Sequence, residues 1–352
     1  MRILAIETSC DDTGVAIVDV EKRNGSKLPK ATIVANLIAS QTKIHARWGG
    51  VVPNLAKNAH IESLPKLWKQ LAANEANKTK KLTKLNFDFV AVTVGPGLEP
   101  ALWAGIEFAK KISEELKVPI IGANHLEGHL YSFLLSYQEK IKFPAIVLLV
   151  SGGNTILVYM DDVNHWQILG KTKDDAVGEA FDKVARMLKL PYPGGPAIEA
   201  LAKKGNPSAI QFPRPMLRDK NYDFSFSGLK TSVLYYLRDK TKEANEAKKL
   251  VKLEADVAAS FQQAAIDVLV KKTERAAQEH GAESIIVCGG VAANTALRTA
   301  LQMMAEKNNA TFIAPAMEYN TDNAAMIAMA AYMQKSRKTK PLPLIADATL
   351  SL

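Results

Sequence analysis

The chain opens on an apolar run, Ile3 to Ile6, that turns polar at Glu7 and continues as TSCDDTG before a second apolar run, Val15 to Val20. Two apolar runs joined by a polar link that ends in glycine predict two strands of a hairpin. The same design recurs about 140 residues later. Ala145 to Val150 is a continuous apolar run, SGGN is a glycine turn, and Thr155 to Met160 is the next strand. The residues differ while the architecture repeats, which points to an internal duplication. After each hairpin the pattern alternates between short runs and helical spacing. Phe87 to Val94 reads as a strand, and Leu102, Ile106, Ala109, Ile112 and Leu116 fall at helical intervals over 101–116. A short strand is predicted over 118–121, with a helix opening at HLEGH. In the second half, helices are predicted over 177–190, 226–238, 250–280 (as one helix or two), 294–307 and 321–333. Strands are predicted over 284–287 and 311–314. This is an α/β chain of two related lobes. The expected boundary lies near 138–143, with lobes 1–140 and 141–352 and the last helix packing back toward the N-terminal lobe.

Composition narrows the class. The 352 residues are 47% hydrophobic, enough for two cores. The net charge of +9 suits an anionic partner such as nucleic acid, although many basic proteins bind none. Lysines cluster at Lys78, Lys80, Lys81 and Lys84, and cations again at Lys335, Arg337, Lys338 and Lys340, as solvated faces or loops. Two cysteines, Cys10 and Cys288, exclude a disulfide framework and a cysteine-based zinc site. No run reaches the ~18 apolar residues of a membrane span, and the N-terminus lacks the apolar length of a signal peptide. A soluble cytoplasmic protein with no membrane partner is expected.

The segment NHLEGHLYS carries His125 and His129 four residues apart. On a helix both imidazoles share a face and could reach one metal ion. Two readings stand: a ligand pair, or two histidines brought together by chance. Glu127 between them lies about 180° from their mean direction, at about 100° per residue. In a zinc-protease HExxH helix the glutamate lies only about 80° away. Glu127 therefore cannot be a protease general base on a regular helix.

Three loops have the form of anion cradles. SGGN (Ser151 to Asn154) follows a buried strand, GGVAAN (Gly289 to Asn294) opens a helix, and YPGGP (Tyr192 to Pro196) precedes another. Glycines there allow close approach, and helix N-termini point N–H groups at a phosphate. Each alone is also an ordinary turn. Duplicated lobes with a polar hairpin and a glycine loop in each are the plan of the actin, Hsp70 and sugar-kinase (ASKHA) superfamily. Glu7, Asp11 and Asp12 of the first hairpin could meet a metal or a phosphate-bound cation, or serve as turn residues.

The blocks IETSCDDTGVAIV, GGVVPNLAKNAH, VGPGL, NHLEGHL, LLVSGG, DDAVGEAFDKVARML, YPGGP, FSFSGLKT, CGGVAAN and EYNTDNAAMIA, in this order, resemble the TsaD family of tRNA N6-adenosine threonylcarbamoyltransferases, in its bacterial form. The resemblance runs from Ile3 to about Met333 and implies a two-lobe fold with a nucleotide and metal site in the interlobe cleft. It implies a third metal ligand, Asp322 at the start of the last helix, beside His125 and His129. It implies one divalent metal, iron in preference to zinc. Leu149, Val150, Ser151, Gly152 and Gly153 match the family's substrate loop, and Asp182, Gly195, Glu199 and Asn294 match further nucleotide contacts. The implied substrates are threonylcarbamoyl-AMP and adenosine 37 of tRNAs reading codons that begin with A. The implied partners are tRNA, a TsaB-type paralogue and a TsaE-type ATPase. Asp11 is the candidate catalytic base. The sequence departs from the family's pattern at Asn58, Glu99, Trp103 and Asn154. A metallopeptidase, a small-molecule kinase of the same superfamily and a non-enzymatic scaffold are the rival readings.

Overall fold

A computed structural model describes residues 1–23, 25–79, 86–136, 140–241 and 247–352. Lys80, Lys81 and Lys84 of the first lysine cluster, and Gln138 at the expected boundary, lie outside the described residues. The strands are β1 Arg2–Glu7, β2 Asp12–Glu21, β3 Lys30–Ser40, β4 Phe89–Gly95, β5 Ile120–Asn124, β6 Ala145–Val150, β7 Thr155–Asp162, β8 His165–Lys171, β9 Ser284–Cys288 and β10 Thr311–Ile313. The α-helices are α1 Thr42–His45, α2 Pro53–Thr79, α3 Glu99–Leu116, α4 His125–Tyr131, α5 Val177–Met187, α6 Gly194–Ala202, α7 Ser227–Thr241, α8 Ala247–Glu279, α9 Thr295–Lys307 and α10 Ala324–Arg337. The region expected as one helix or two is thus the single helix α8.

The chain forms two compact units, Met1–Glu139 with Pro315–Leu352, and Lys140–Ala314. The second lobe expected at 141–352 therefore ends at Ala314, and α10 belongs to the first unit. α10 packs on β1, β2 and α4 of that unit. Its run AAMIAMAA is small enough for close approach. A Cβ on Gly14 of β2 would fall 2.9 Å from the Ala324 nitrogen.

The two sheets share one strand order. In the first unit it is β3-β2-β1-β4-β5, and in the second, read from the other edge, β8-β7-β6-β9-β10. In each, the opening hairpin is antiparallel and the later two strands join in parallel. The central strands β1 and β6 are covered on both faces, which is why they read as unbroken apolar runs. Leu4 and Ile6 pack with Leu64 and Leu71 of α2 and Ile106 of α3. Alternate residues Ile3 and Ala5 point to the opposite face. Ile146, Leu148 and Val150 do the same work in the second unit against α5 to α9. The edge strands β3 and β8 had no expectation in the sequence. Their residues are largely half-exposed or exposed, so they carry no clean apolar run.

Candidate metal centre and glycine turns

β5 delivers the chain to Asn124, whose extended backbone ends the strand and whose side chain starts α4. Its Oδ1 accepts from the N–H groups of Leu126 (2.8 Å) and Glu127 (3.3 Å), and its amide nitrogen donates to the Ser351 carbonyl at 2.8 Å. This cap makes His125 the first residue of the helix, with His129 one turn on. The imidazoles lie with centroids 4.7 Å apart and planes at 83°. Asp322 meets both: its Oδ1 stands 3.6 Å from His125 Nε2 and 3.2 Å from His129 Nε2. One ligand atom from each of the three residues can be chosen with all within 4.8 Å of one another. All three belong to the first unit. Asp322 does not start α10, as the sequence suggested. Asn323 is the cap, accepting from Met326 N–H at 3.1 Å. Asp322 sits one residue before it, released from helix geometry to turn toward α4. α4 and α10 cross closely, since a Cβ on Gly128 would fall 3.0 Å from Met326 Cγ.

The residues present fit a metal ion. His129 is fully buried, yet neither ring nitrogen has a hydrogen-bond partner, and the Asp322 contact, though short, lacks hydrogen-bond geometry. A buried unpaired imidazole costs free energy unless a ligand uses its lone pair. Asp322 keeps 22% of its side chain exposed, which leaves an open direction for a further ligand. Two imidazoles and a carboxylate are a donor set for a divalent transition metal.

Behind His125 stands Glu7, read from the sequence as a contact for a metal or phosphate-bound cation or as a turn residue; it lies outside the ligand group and against a histidine of it. Glu7 closes β1 fully buried. It accepts from the Ser9 N–H and the Thr93 hydroxyl, each at 2.5 Å, and its Oε2 lies 3.3 Å from His125 Nδ1. Ser9 Oγ is 3.1 Å from the same nitrogen. A carboxylate on Nδ1 fixes the tautomer that turns the Nε2 lone pair toward a metal. Burial pushes the Glu7 carboxyl up, but the His125 charge and hydrogen bonds outweigh this and hold it low. Burial disfavours the charged imidazole of His125. The Asp322 and Glu7 carboxylates overcome it and raise the group to about 9. The available signal was a lone carboxylate directly after the apolar run Ile3 to Ile6.

The turn between β1 and β2 is Thr8 to Asp11, shorter than the expected link because β2 already includes Asp12 to Gly14. Three consecutive carbonyls are held. Ser9 accepts from Leu98 N–H (2.8 Å), Cys10 from His60 Nε2 (3.0 Å) and Asp11 from Gln41 N–H (2.9 Å). His60 Nδ1 in turn receives Thr13 Oγ1 at 2.8 Å and Gln41 Nε2 at 3.2 Å. Gln41 Oε1 accepts from His45 Nε2 at 3.1 Å, and His45 Nδ1 accepts from Val52 N–H at 3.3 Å. Donors and acceptors along this chain agree only if both histidines are neutral with the proton on Nε2. Burial lowers the His60 imidazole, in keeping with that state. Asp11 is half-buried in the same turn. Burial first, and the Asp322 charge second, raise its carboxyl. It is not part of the ligand set.

The second unit gathers the glycine turns. Leu149 and Val150 end β6 fully buried, so only their backbone can face a ligand. The Ser151–Asn154 turn is closed by Ser151 N–H to the Asn154 carbonyl (2.8 Å) and Asn154 N–H to Ser151 Oγ (3.1 Å). A Cβ on Gly152 or Gly153 would meet nothing within 4 Å. By contrast, a Cβ on Gly178, in the first turn of α5, would fall 2.5 Å from the Ser151 carbonyl oxygen. Gly289, at φ +90°, is pressed as closely against the Val150 carbonyl. Asp182 of α5 accepts from Gly194 N–H at 2.7 Å and so holds the start of α6. Gly195 beside it is open. Glu199 of α6 accepts from the Thr295 N–H (3.0 Å) and hydroxyl, tying α6 to α9. Asn294 caps α9 by accepting from Leu297 N–H at 2.9 Å and donates to Gln262 at 2.9 Å. Both ends of its amide are therefore engaged within the protein. Of the departures, Asn154 closes the turn, Glu99 is an acid in the first turn of α3, and Trp103 packs on the first core under Lys110.

Duplicated five-stranded sheets of one topology define a protein of the actin, Hsp70 and sugar-kinase architecture, here with a His–His–Asp cluster in its first unit. Two solved structures support the fold alone. A full-length HypF in a phosphate- and nucleotide-bound form superposes with TM-score 0.57 at 13% identity, over 96% of this chain and 46% of that one. HypF from T. kodakarensis gives 0.59 at 14%, over 96% and 48%. This chain thus spans about half the length of either. The family model for TsaD, tRNA N6-adenosine threonylcarbamoyltransferase, matches residues 32–329. Proteins of that name from Moorella thermoacetica and Thermotoga neapolitana are 48% and 44% identical, over 100% of this chain and 97% and 100% of theirs. The chain belongs to the TsaD family. It is a transferase that places the threonylcarbamoyl group on N6 of adenosine in tRNA. No described helix is long and apolar enough to cross a membrane.

Proposed function

We propose that His125, His129 and Asp322 hold the divalent metal of this transfer, and that the glycine turns of the second unit bind the AMP part of threonylcarbamoyl-AMP. The observation that carries the reading is that Nε2 of His125 and Nε2 of the fully buried His129 converge on one carboxylate oxygen of Asp322 with no hydrogen-bond geometry at His129. Iron in the ferrous state suits this set, and zinc is the alternative. The bound ion supplies a Lewis acid that fixes and polarises an oxygen of the donor.

In the transfer, N6 of adenosine 37 attacks the carbamoyl carbon. The bond from that carbon to the phosphate oxygen breaks, AMP leaves, and N6 gives up one proton. Asp11, its carboxyl raised by burial and by Asp322, is the candidate acceptor of that proton. The open faces of Gly152, Gly153 and Gly195 suit a phosphate or a base at van der Waals distance. Asp182, Glu199 and Asn294 hold the helix starts that shape this surface, and the Asp182 and Glu199 carboxylates are candidate partners of ribose hydroxyls. A TsaB-type paralogue and a TsaE-type ATPase are the proposed protein partners. A peptidase reading is opposed by Glu127, which is engaged by Arg337 at 2.6 Å through both oxygens.

The test is transfer of labelled threonine from the donor to unmodified tRNA, with metal content measured on the same samples. Loss of metal and transfer together in His129→Ala and Asp322→Ala is expected. Transfer that persists in metal-free double variants would refute the reading.

A further inference from the structure

Between Glu21 and Glu62 the sequence holds seven Lys and Arg and no carboxylate. The part of this stretch from 41 to 61 is folded against the turn beside the candidate metal centre. Gln41 N–H donates to the Asp11 carbonyl at 2.9 Å, and His60 Nε2 to the Cys10 carbonyl at 3.0 Å. Both ends of the segment therefore close on one turn. Gln41, His45 and His60 are buried, all at or below 2% exposure, and fill its inside. Its outside is of a different character. Lys43, Arg47 and Lys57 are exposed, Trp48 is 62% exposed, and Ile61 is 52% exposed. Trp48 ends a single helical turn, Ala46–Trp48, and is followed by Gly49 in the left-handed region at φ +66°. The indole is thus presented at a bend, with an arginine beside it.

A single exposed indole is ordinary on a protein surface; the setting of Trp48 among cations is what points to a ligand. Three cations with no intervening acid select an anionic partner. An exposed aromatic ring among such cations suits single-stranded nucleic acid, whose unpaired bases stack while its phosphates pair with Lys and Arg. The centre beside it is acidic, with Asp12 in electrostatic contact with Glu7, Asp11 and Asp322. A polyanion brought to those carboxylates needs cations at their edge, and this segment supplies them.

We propose that the outer face of segment 41–61 is an RNA-docking surface, with Lys43, Arg47 and Lys57 on backbone phosphates and Trp48 stacked on an unpaired base of the substrate loop. The inference rests on the transfer reading above and adds the place where the RNA is held. Trp and Arg are also enriched where proteins meet, whereas Lys is depleted there, so the lysines at 43 and 57 and the lack of any acid from 22 to 61 favour RNA over a protein partner.

The experiment measures binding of an unmodified tRNA transcript to the full-length, metal-loaded chain across a salt series. A Lys43→Gln, Arg47→Gln, Lys57→Gln triple variant should bind at least about tenfold more weakly, with the salt slope reduced by about 2. Trp48→Ala should bind about tenfold more weakly with the slope unchanged. Metal content and donor binding should stay at the parent level in both. Wild-type RNA affinity in both variants would overturn the surface while leaving the transfer reading intact. So would normal RNA binding combined with loss of a protein complex. Failure of the parent chain to bind or modify tRNA would overturn both, and is read on the parent alone.

Discussion

Glu127 and Arg337 form a two-pronged ion pair, with both carboxylate oxygens 2.6 Å from one guanidinium nitrogen. The side chains are 16% and 11% exposed. Glu127 lies between the two histidines on α4 and points away from them. Arg337 ends α10, the helix whose cap, Asn323, directly follows Asp322. It also lies 3.2 Å from the Tyr131 hydroxyl. The pair therefore braces the helix of two candidate ligands against the helix that the third precedes.

Arg337→Ala would leave Glu127 charged and mostly buried, at a cost of about 3 kcal/mol. Urea denaturation should show this loss. The double variant Glu127→Gln, Arg337→Met should recover most of it, because neither side chain then carries an uncompensated charge. A double variant as unstable as Arg337→Ala would argue against the brace.

His129→Leu should behave differently with and without metal. In chelated protein a buried imidazole without hydrogen-bond geometry is replaced by an apolar side chain while Asp322 loses one neighbour, so the two effects offset and thermal stability should change little. In metal-supplemented protein the stabilisation that metal gives the parent should vanish. Equal metal-induced stabilisation of parent and variant would exclude His129 as a ligand.

Metal uptake should be coupled to a proton. His125 is raised to about 9 in the metal-free chain by Asp322 and Glu7, against the opposing effect of burial. Its ordinary value is near 6.5, so the stability it contributes is fully present below that pH. That stability is lost as pH rises through about 9. A metal must displace the proton below about 9, and apparent affinity should rise about tenfold per pH unit between 7 and 8.5. Calorimetry in buffers of different ionisation heat counts the protons released. A pH-independent affinity over this range would contradict the coupling.

His60→Leu removes the acceptor of Thr13 and Gln41 and the donor to the Cys10 carbonyl. The expected cost is about 2–4 kcal/mol, from buried groups left unpaired. His60→Gln keeps part of the network and should be milder in a thermal melt. Leu and Gln variants of equal stability would show that packing, not hydrogen bonding, sets the role of His60.

Gly152→Ala and Gly178→Ala separate ligand from protein. A methyl on Gly152 meets nothing within 4 Å, so its melting temperature should stay at the parent value, while a turn that binds the donor should lose affinity. A methyl on Gly178 strikes the Ser151 carbonyl and should disturb stability and donor KM together. Unchanged donor KM in Gly152→Ala would remove the Ser151–Asn154 turn from the donor site.

The central strands were legible because burial on both faces leaves an unbroken apolar run, as in β1 and β6. β3 and β8 were not, because their positions are mostly half-exposed or exposed without a clean period, unlike the short apolar runs that marked the other two edges, β5 and β10. The Ser151 turn was visible from its glycines. Which glycine faces protein and which faces open space was not, since that depends on α5 being packed against the turn.

By itself the sequence determined what depends on neighbours along the chain. Helical period places His125 and His129 on one face and Glu127 on the other, and the order of runs and glycine turns sets the duplicated α/β plan. The tertiary structure decided what depends on residues far apart. It released Asp322 from the helix by giving the cap to Asn323, set Glu7 behind His125, and paired Glu127 with Arg337 across 210 residues. It also turned the acid-free stretch inside out, with its histidines buried and its cations and Trp48 facing water. Local periodicity fixes the direction of a side chain on its own element, and only packing between elements supplies its partner.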